Sequence, residues 1–459
     1  MSEVTQLSSG NGYTTCISGD GNYWISKDSS PGVRTDHLYR VDRSSGARVL
    51  IDSTKSGVPS TGDSQHVLDI SSDGRYALLS IDEYGSVNLD GLDGSGSLYR
   101  KDLNTGTVIR VDTLDGGVQI DEKWGPRNEE MSSNGRYVVF TSPDVRFAGL
   151  PEAAWGSSDW SRGLVYRKDL STGDISTVST KADGSPGDGW ESNGGYGIGV
   201  SDDGSKVTFI YRGDDLITGV SGTNLYVKDF NNSTVSLVSS DSQGNRLSEF
   251  GYYGSGSSIS PDGSKVAFTS KGSNGSAQLY IKDINSGSLT LVSKTTSGQE
   301  GNGYSGASCT FSGDNKYLVF ESTASNLDDN DTNGKYDIYI DQISSGEVKR
   351  ILDDKANSFT DHLRDPRITS DGEYVTFRSY SKGITTTGGD KGYEVYLAKN
   401  PFYKESPTYS LSTSSSSLNE GSTLTSIVST ENVSQGTRLY WTLSGKGINA
   451  GDFSSGSLK

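Results

Sequence analysis

Three features of the sequence predict an all-β protein built as a ring of seven repeated units. A serine followed by a tight Asp-Gly, Asn-Gly or, once, Asp-Asn turn and an alternating apolar strand recurs seven times. A tyrosine-centred strand follows each copy. The composition is rich in turn residues and poor in helix formers, with 59 Gly, 25 Tyr and 2 Met in 459 residues,. A small sheet cannot bury both its faces alone, but stacking such sheets in a ring buries them and leaves only short edges. That describes a seven-bladed β-propeller.

The first phrase occurs at Ser18–Ile25, Ser72–Leu79, Ser133–Phe140, Ser201–Phe209, Ser260–Phe268, Ser312–Phe320 and Ser370–Phe377. Its turn residue is Gly21, Gly74, Gly135, Gly204, Gly263, Asn315 or Gly372, at intervals of 52 to 69 residues. Gly and Asn tolerate the positive φ of a tight hairpin. The second phrase begins as Leu38-Tyr39-Arg40, Leu98-Tyr99-Arg100, Val165-Tyr166-Arg167, Leu225-Tyr226-Val227, Leu279-Tyr280-Ile281, Ile338-Tyr339-Ile340 and Val395-Tyr396-Leu397. A short turn and a last strand, such as Leu289–Ser293, complete each four-stranded unit. Hydrophobic residues make up 31% of the chain, which suits many small sheets better than one large core.

The two ends complement each other. The seventh unit stops after its tyrosine strand at Lys399, before Asn400-Pro401, and Val4–Ser8 is a spare fourth strand ahead of the first unit. The N-terminus is expected to pair beside Glu394–Lys399 and close the ring.

The phrase best kept at Ser260–Phe268, Ser-Pro-Asp-Gly-x-x-Val-Ala-Phe, resembles the TolB-type, WD40-like propeller repeat, and the resemblance covers roughly residues 4–399. It implies the fold and leaves the function open. The expected domains are a propeller over 1–400, a linker over 401–408 and a third segment over 409–459. That segment resembles the opening of a Calx-β or Ig-like β-sandwich through Leu418-Asn419-Glu420-Gly421-Ser422 and Gly451-Asp452-Phe453-Ser454-Ser455-Gly456. A partial sandwich exposes edges and an apolar face, so a neighbouring protein chain is its expected partner.

The net charge of −17 argues against nucleic acid or an anionic membrane as partner, since both need a basic face,. No run reaches the roughly 20 apolar residues of a membrane-spanning helix. Met1 to Gly10 has no basic start or apolar stretch, so no N-terminal signal peptide is expected,. Cys16 and Cys309 read as small buried apolar residues,.

The sharpest motif is Asp329-Asn330-Asp331-Thr332-Asn333-Gly334-Lys335-Tyr336-Asp337. Alternating oxygen donors around a Gly turn suit calcium. The expected ligands are side chains of Asp329, Asp331, Asn333 and Asp337 and the carbonyl of Lys335. The Glu that closes an EF-hand would fall at Ile340, so the motif resembles the calcium loops of integrin-type propellers instead.

Long connections fall on one face of the ring and carry Trp124, Trp155, Trp160, Trp190, Tyr252 and Tyr253. Aromatic loop residues anchor glycans and proteins, so these six are the expected ligand-binding residues. His37, His66 and His362 belong to blades 1, 2 and 7, which closure makes neighbours. No nucleophile elbow, HExxH or phosphate loop occurs.

Taken together, these residues predict a non-enzymatic extracellular surface or virion structural protein, such as an adhesin or a tail fibre component. It would be calcium-stabilised and would bind glycan or a surface protein on the long-loop face. The alternative is a metal-dependent polysaccharide lyase or hydrolase with a three-His site, as in lyases that use this fold.

Overall fold

The computed structural model describes residues 4–7, 15–29, 36–60, 65–81, 89, 97–118, 125–151, 163–189, 197–247, 256–352, 361–380, 384–385, 393–404, 407–413, 426–433 and 437–438. The chain divides into two units, Met1–Pro401 and Phe402–Lys459.

The first unit is a seven-bladed β-propeller. Blades 2 to 6 each form one antiparallel four-stranded sheet in sequence order. Their first and last strands are Gln65–Ile70 and Val108–Arg110, Arg127–Met131 and Ile175–Thr177, Gly199–Val200 and Thr234–Leu237, Ser257–Ile259 and Leu289–Leu291, and Ser305–Phe311 and Glu347–Arg350. Blade 7 has Arg364–Ile368, Tyr374–Ser379 and Glu394–Lys399, and its fourth strand is Val4–Gln6, with Thr5 opposite Leu397. The ends therefore close the ring as the unmatched strands predict. Blade 1 differs. Among the described residues it shows three strands, Tyr23–Ser29, Asp36–Asp42 and Arg48–Leu50, and the bridge Ile17–Trp24 inside them.

The repeated serine works as a hydroxyl bracket. In blade 1, Ser18 Oγ donates to Asp20 Oδ1 at 2.5 Å and accepts from Tyr23 N at 2.9 Å. In blades 2, 3 and 7 the bracket is one residue earlier than the phrase suggests, at Ser71, Ser132 and Thr369. Neighbouring turns are laced by Asp20 N to Ser72 O, Ser72 N to Ser133 O, Asp202 N to Pro261 O, Asp314 N to Ser370 O and Ser370 N to Gly19 O, all at 2.6–2.8 Å. Gly74 has φ +68°, and a Cβ there would stand 2.2 Å from the Tyr23 ring of the preceding blade. Asn315 takes the same conformation in blade 6 at φ +58°,.

The apolar cores lie between blades. Leu78, Leu98 and Val111 of blade 2 pack on Met131, Val138, Phe140 and Tyr166 of blade 3. The phrase tyrosine is buried against the second-strand phenylalanine, as in Phe320–Tyr339 and Phe377–Tyr396, with centroids 5.8 and 5.7 Å apart.

Two cations of the tyrosine strand join blades. Arg40 and Arg100 donate to the turn carbonyls of Gly74 and Gly135 in the next blade. Lys101, Lys168 and Lys282 cap carbonyls at the end of the previous blade, for example Lys282 Nζ to Asp241 O at 2.7 Å. Blade 6 inverts this. Asp341 takes the lysine position, burial pushes it up to about 7, and Lys294 of blade 5 pulls the other way.

The second unit shows one antiparallel hairpin, Thr408–Thr413 with Ser426–Glu431. Tyr409, Leu411 and Val428 stand on one face, exposed. A hairpin fits a partial sheet, but it does not show the Calx-β or Ig-like module expected from the sequence. Among the described residues no helix is long and apolar enough to cross a membrane.

Candidate functional site

First strands of neighbouring blades contact one another, so they form the innermost ring. One register position recurs along them, two residues before the turn hydroxyl. It holds Cys16, Asp69, Glu130, Gly199, Ser258, Thr310 and Arg367 in blades 1 to 7. Three of the seven carry a carboxyl or a guanidinium, on blades 7, 2 and 3. Burial pushes the Asp69 and Glu130 carboxyls up, Asp69 adds to the effect at Glu130, and Arg367 opposes both. Arg367 also donates to Thr310 Oγ1 at 3.2 Å. Burial pushes the Cys309 thiol up to about 12, so it is an inert apolar group, as expected,.

Several first strands are bulged toward the long-loop end. The register shifts between Arg364 and Arg367 in blade 7, and between Val67 and Asp69 in blade 2. Bulges re-aim side chains. In blade 7 the bulge includes Asp365 at φ +52°, in the left-handed region that non-glycine residues seldom adopt,.

The cluster around this bulge is the candidate site. Glu321, at the end of the second strand of blade 6, is 3% exposed. Its Oε1 lies 3.3 Å from Arg364 Nη1, and its Oε2 has no hydrogen-bond partner. Burial pushes Glu321 up to about 7; Arg364 and the Asp365 amide pull it down, while the Asp365 carboxylate adds to the rise. Arg364 lies over the Tyr336 ring at 3.5 Å, and Arg378 over the Tyr393 ring at 4.6 Å. Arg378 Nε is also paired with Asp365. Second strands carry Ser, Thr or Ile at this register in blades 2 to 5, whereas blades 6 and 7 carry Glu321 and Arg378.

The Asp329–Asp337 loop supplies Tyr336, and it is organised around an arginine. Arg350, with its side chain fully buried, meets Asp328 at 2.9 Å, Asp331 at 3.3 Å and Asp337 at 3.2 Å. Tyr339 OH donates to the second oxygen of Asp331 at 2.9 Å. Asn333 turns its Nδ2 to Asp337, and its Oδ1 accepts from Lys335 N at 2.7 Å. Asp329 is exposed. These groups do not fit calcium as drawn from the motif: a guanidinium already fills the centre of the carboxylates, and Asn333 presents its NH₂ there. A groove of about 900 Å³ runs past the loop, but its Asp328 and Arg350 face each other.

The histidines are separately engaged. His37 Nδ1 lies 2.7 Å from Asp52 Oδ2. His362 Nδ1 accepts from Tyr336 N at 2.8 Å, and burial, with Arg364, holds its basicity down. The side chain of His66 lies outside the described residues, as do Trp124, Trp155, Trp160, Trp190, Tyr252 and Tyr253. Among the described residues, no three His, Cys, Asp or Glu side chains are placed to hold a metal.

No family model and no curated protein matches the chain. Solved structures do. It is similar to an oligogalacturonate lyase in complex with manganese, at 16% identity and TM-score 0.48, over 87% of this chain and 94% of that one. It is similar to TolB from Acinetobacter baumannii, at 14% identity and TM-score 0.39, over 86% and 87%. It is similar to a prolyl endopeptidase, at 11% identity and TM-score 0.47, over 90% of this chain and 52% of that one. These likenesses show the fold alone.

The expectation of a non-enzymatic, calcium-stabilised adhesion or virion protein is corrected. The structures of similar fold include a lyase and a peptidase as well as TolB, and this mixture does not carry the non-enzymatic assignment. Nothing in them or in the arginine-centred loop speaks for adhesion or calcium stabilisation. The chain forms a seven-bladed β-propeller with TolB-like structural neighbours.

Proposed function

We propose that the chain is an enzyme that carries out acid–base chemistry on a carboxylated substrate at the long-loop end of the propeller axis. The observation that supports this is Glu321, a buried carboxyl with one oxygen held by Arg364 and the other without a partner. A buried polar atom left bare is costly unless a ligand completes it. Burial also brings Glu321 up to about 7, where a general acid or base is most effective near neutral pH,. Arg364 and Arg378, each over a tyrosine ring and each paired with a carboxyl of the chain, place two guanidinium groups at this face,. An anionic substrate is the one such a face recognises. A carboxylated oligosaccharide, the class named for the similar lyase, is the first to try.

The test is turnover. Uronate oligosaccharides and their neutral counterparts are incubated with the purified chain, and the products are separated by chromatography. Only the carboxylated substrates should be converted, and Glu321→Gln should lower the rate by about 10²–10⁴-fold. Absence of conversion, or full activity in the Gln variant, rules this reading out.

A further inference from the structure

We infer that Asp365 is a resident stand-in for the substrate's carboxylate, and that the substrate displaces it from Arg378. The inference rests on the proposed acid–base site and names how that site takes its substrate.

The two arginines of the site are not equivalent. Arg364 is held on both sides, by the Tyr336 ring and by Glu321 Oε1. Arg378 lies on Tyr393, and its guanidinium is paired with Asp365. A planar guanidinium held flat on a ring offers its edge to a carboxylate, and Asp365 occupies that edge from within the chain. Asp365 does so with its backbone in the left-handed region, at φ +52°, inside the bulge. Strain of this kind at a non-glycine residue points toward function when other features agree.

Accessibility agrees. The side chains of Arg378 and Asp365 are 26% and 42% exposed, so a ligand can reach the pair. A partly exposed ion pair is weak enough to exchange for another carboxylate,. Glu321 and Asp365 are close enough to repel, since the Asp365 carboxylate helps to push Glu321 up. A substrate carboxylate seated on Arg378 would take the place that Asp365 now holds.

Calorimetry with D-galacturonate, and with D-galactose as the neutral control, tests this on the full chain. Asp365→Asn keeps the shape and tolerates positive φ. It should bind galacturonate up to about fivefold more tightly than the parent chain, the worth of an exposed ion pair taken out of competition. Arg378→Met should lose that binding, and galactose should be unaffected. Equal or weaker binding by Asp365→Asn, binding insensitive to Arg378→Met, or no galacturonate binding by any variant overturns the inference. Tighter binding by Asp365→Asn with no turnover by the parent chain sinks the enzymatic reading alone. Turnover that depends on Glu321, with no gain in Asp365→Asn, sinks the stand-in alone.

Discussion

Arg350 Nη1 lies 3.2 Å from Asp337 Oδ2, at the centre of a loop whose sequence reads as a calcium site. The side chains of Asp331 and Asp337 are 1% exposed, so removing the guanidinium leaves two carboxylates buried without their cation. Arg350→Met should cost about 3–5 kcal/mol in denaturant unfolding. A chelator should leave the melting temperature of the parent chain unchanged. A drop on chelation restored by calcium would show that the loop binds the ion after all.

Stability should fall as pH rises from about 4 to about 7. Burial raises Glu321 and Asp341 to about 7 and Asp112 and Asp337 to about 6. A carboxyl whose folded value lies above its unfolded value binds more protons when folded. Its contribution is complete below the unfolded value and is lost as pH rises through the folded one. Asp42, lowered to about 2, works the other way and matters only below about pH 4,. Calorimetric scans should show a melting temperature at least about 3 °C higher at pH 5 than at pH 8. A flat or rising profile over that range contradicts the assignment.

The inverted joint at blade 6 makes a charge-swap experiment possible. Lys282→Met leaves the carbonyls of Ser240 and Asp241 without their ammonium, at a cost of about 1–3 kcal/mol,. Asp341→Lys sets a cation against Lys294 and should destabilise by a similar amount, and adding Lys294→Ser should recover most of it. A double-mutant cycle measures the coupling. Additive effects would mean that Asp341 and Lys294 do not act as a pair.

Removing residues 1–7 takes away the fourth strand of blade 7, including the Leu7 N to Val395 O bond at 2.8 Å. Hydrogen exchange should then rise first along Glu394–Lys399, whose outer edge is exposed. Unchanged protection there would show that the N-terminal strand does not hold the ring.

Much of the fold was legible because its rules are local. Turn chemistry and period-2 alternation act over a few residues, so seven copies of a turn and a strand could be counted from the chain. The ionisable groups on the inner ring were legible too, though only by aligning the repeats on the turn hydroxyl. In that register Asp69, Glu130 and Arg367 stand where other blades carry Cys, Gly, Ser or Thr. The earlier bracket at Ser71 and Ser132 was not legible. It depends on which hydroxyl the finished turn brings within reach of the next amide.

By itself, the sequence determined the repeat, the four-strand unit and the closure by Val4–Gln6, since each follows from hydrogen bonding and burial along or between consecutive segments. Only the tertiary structure decided which charges meet. Arg364 and Glu321 are 43 residues apart and touch because blades 6 and 7 are adjacent with their bulged strands in this register. Arg350 fills the centre of the Asp329–Asp337 loop because the fourth strand of blade 6 runs back beneath it. A motif specifies which donors lie close together in the chain, whereas the ion at their centre is set by the charge that packing brings there.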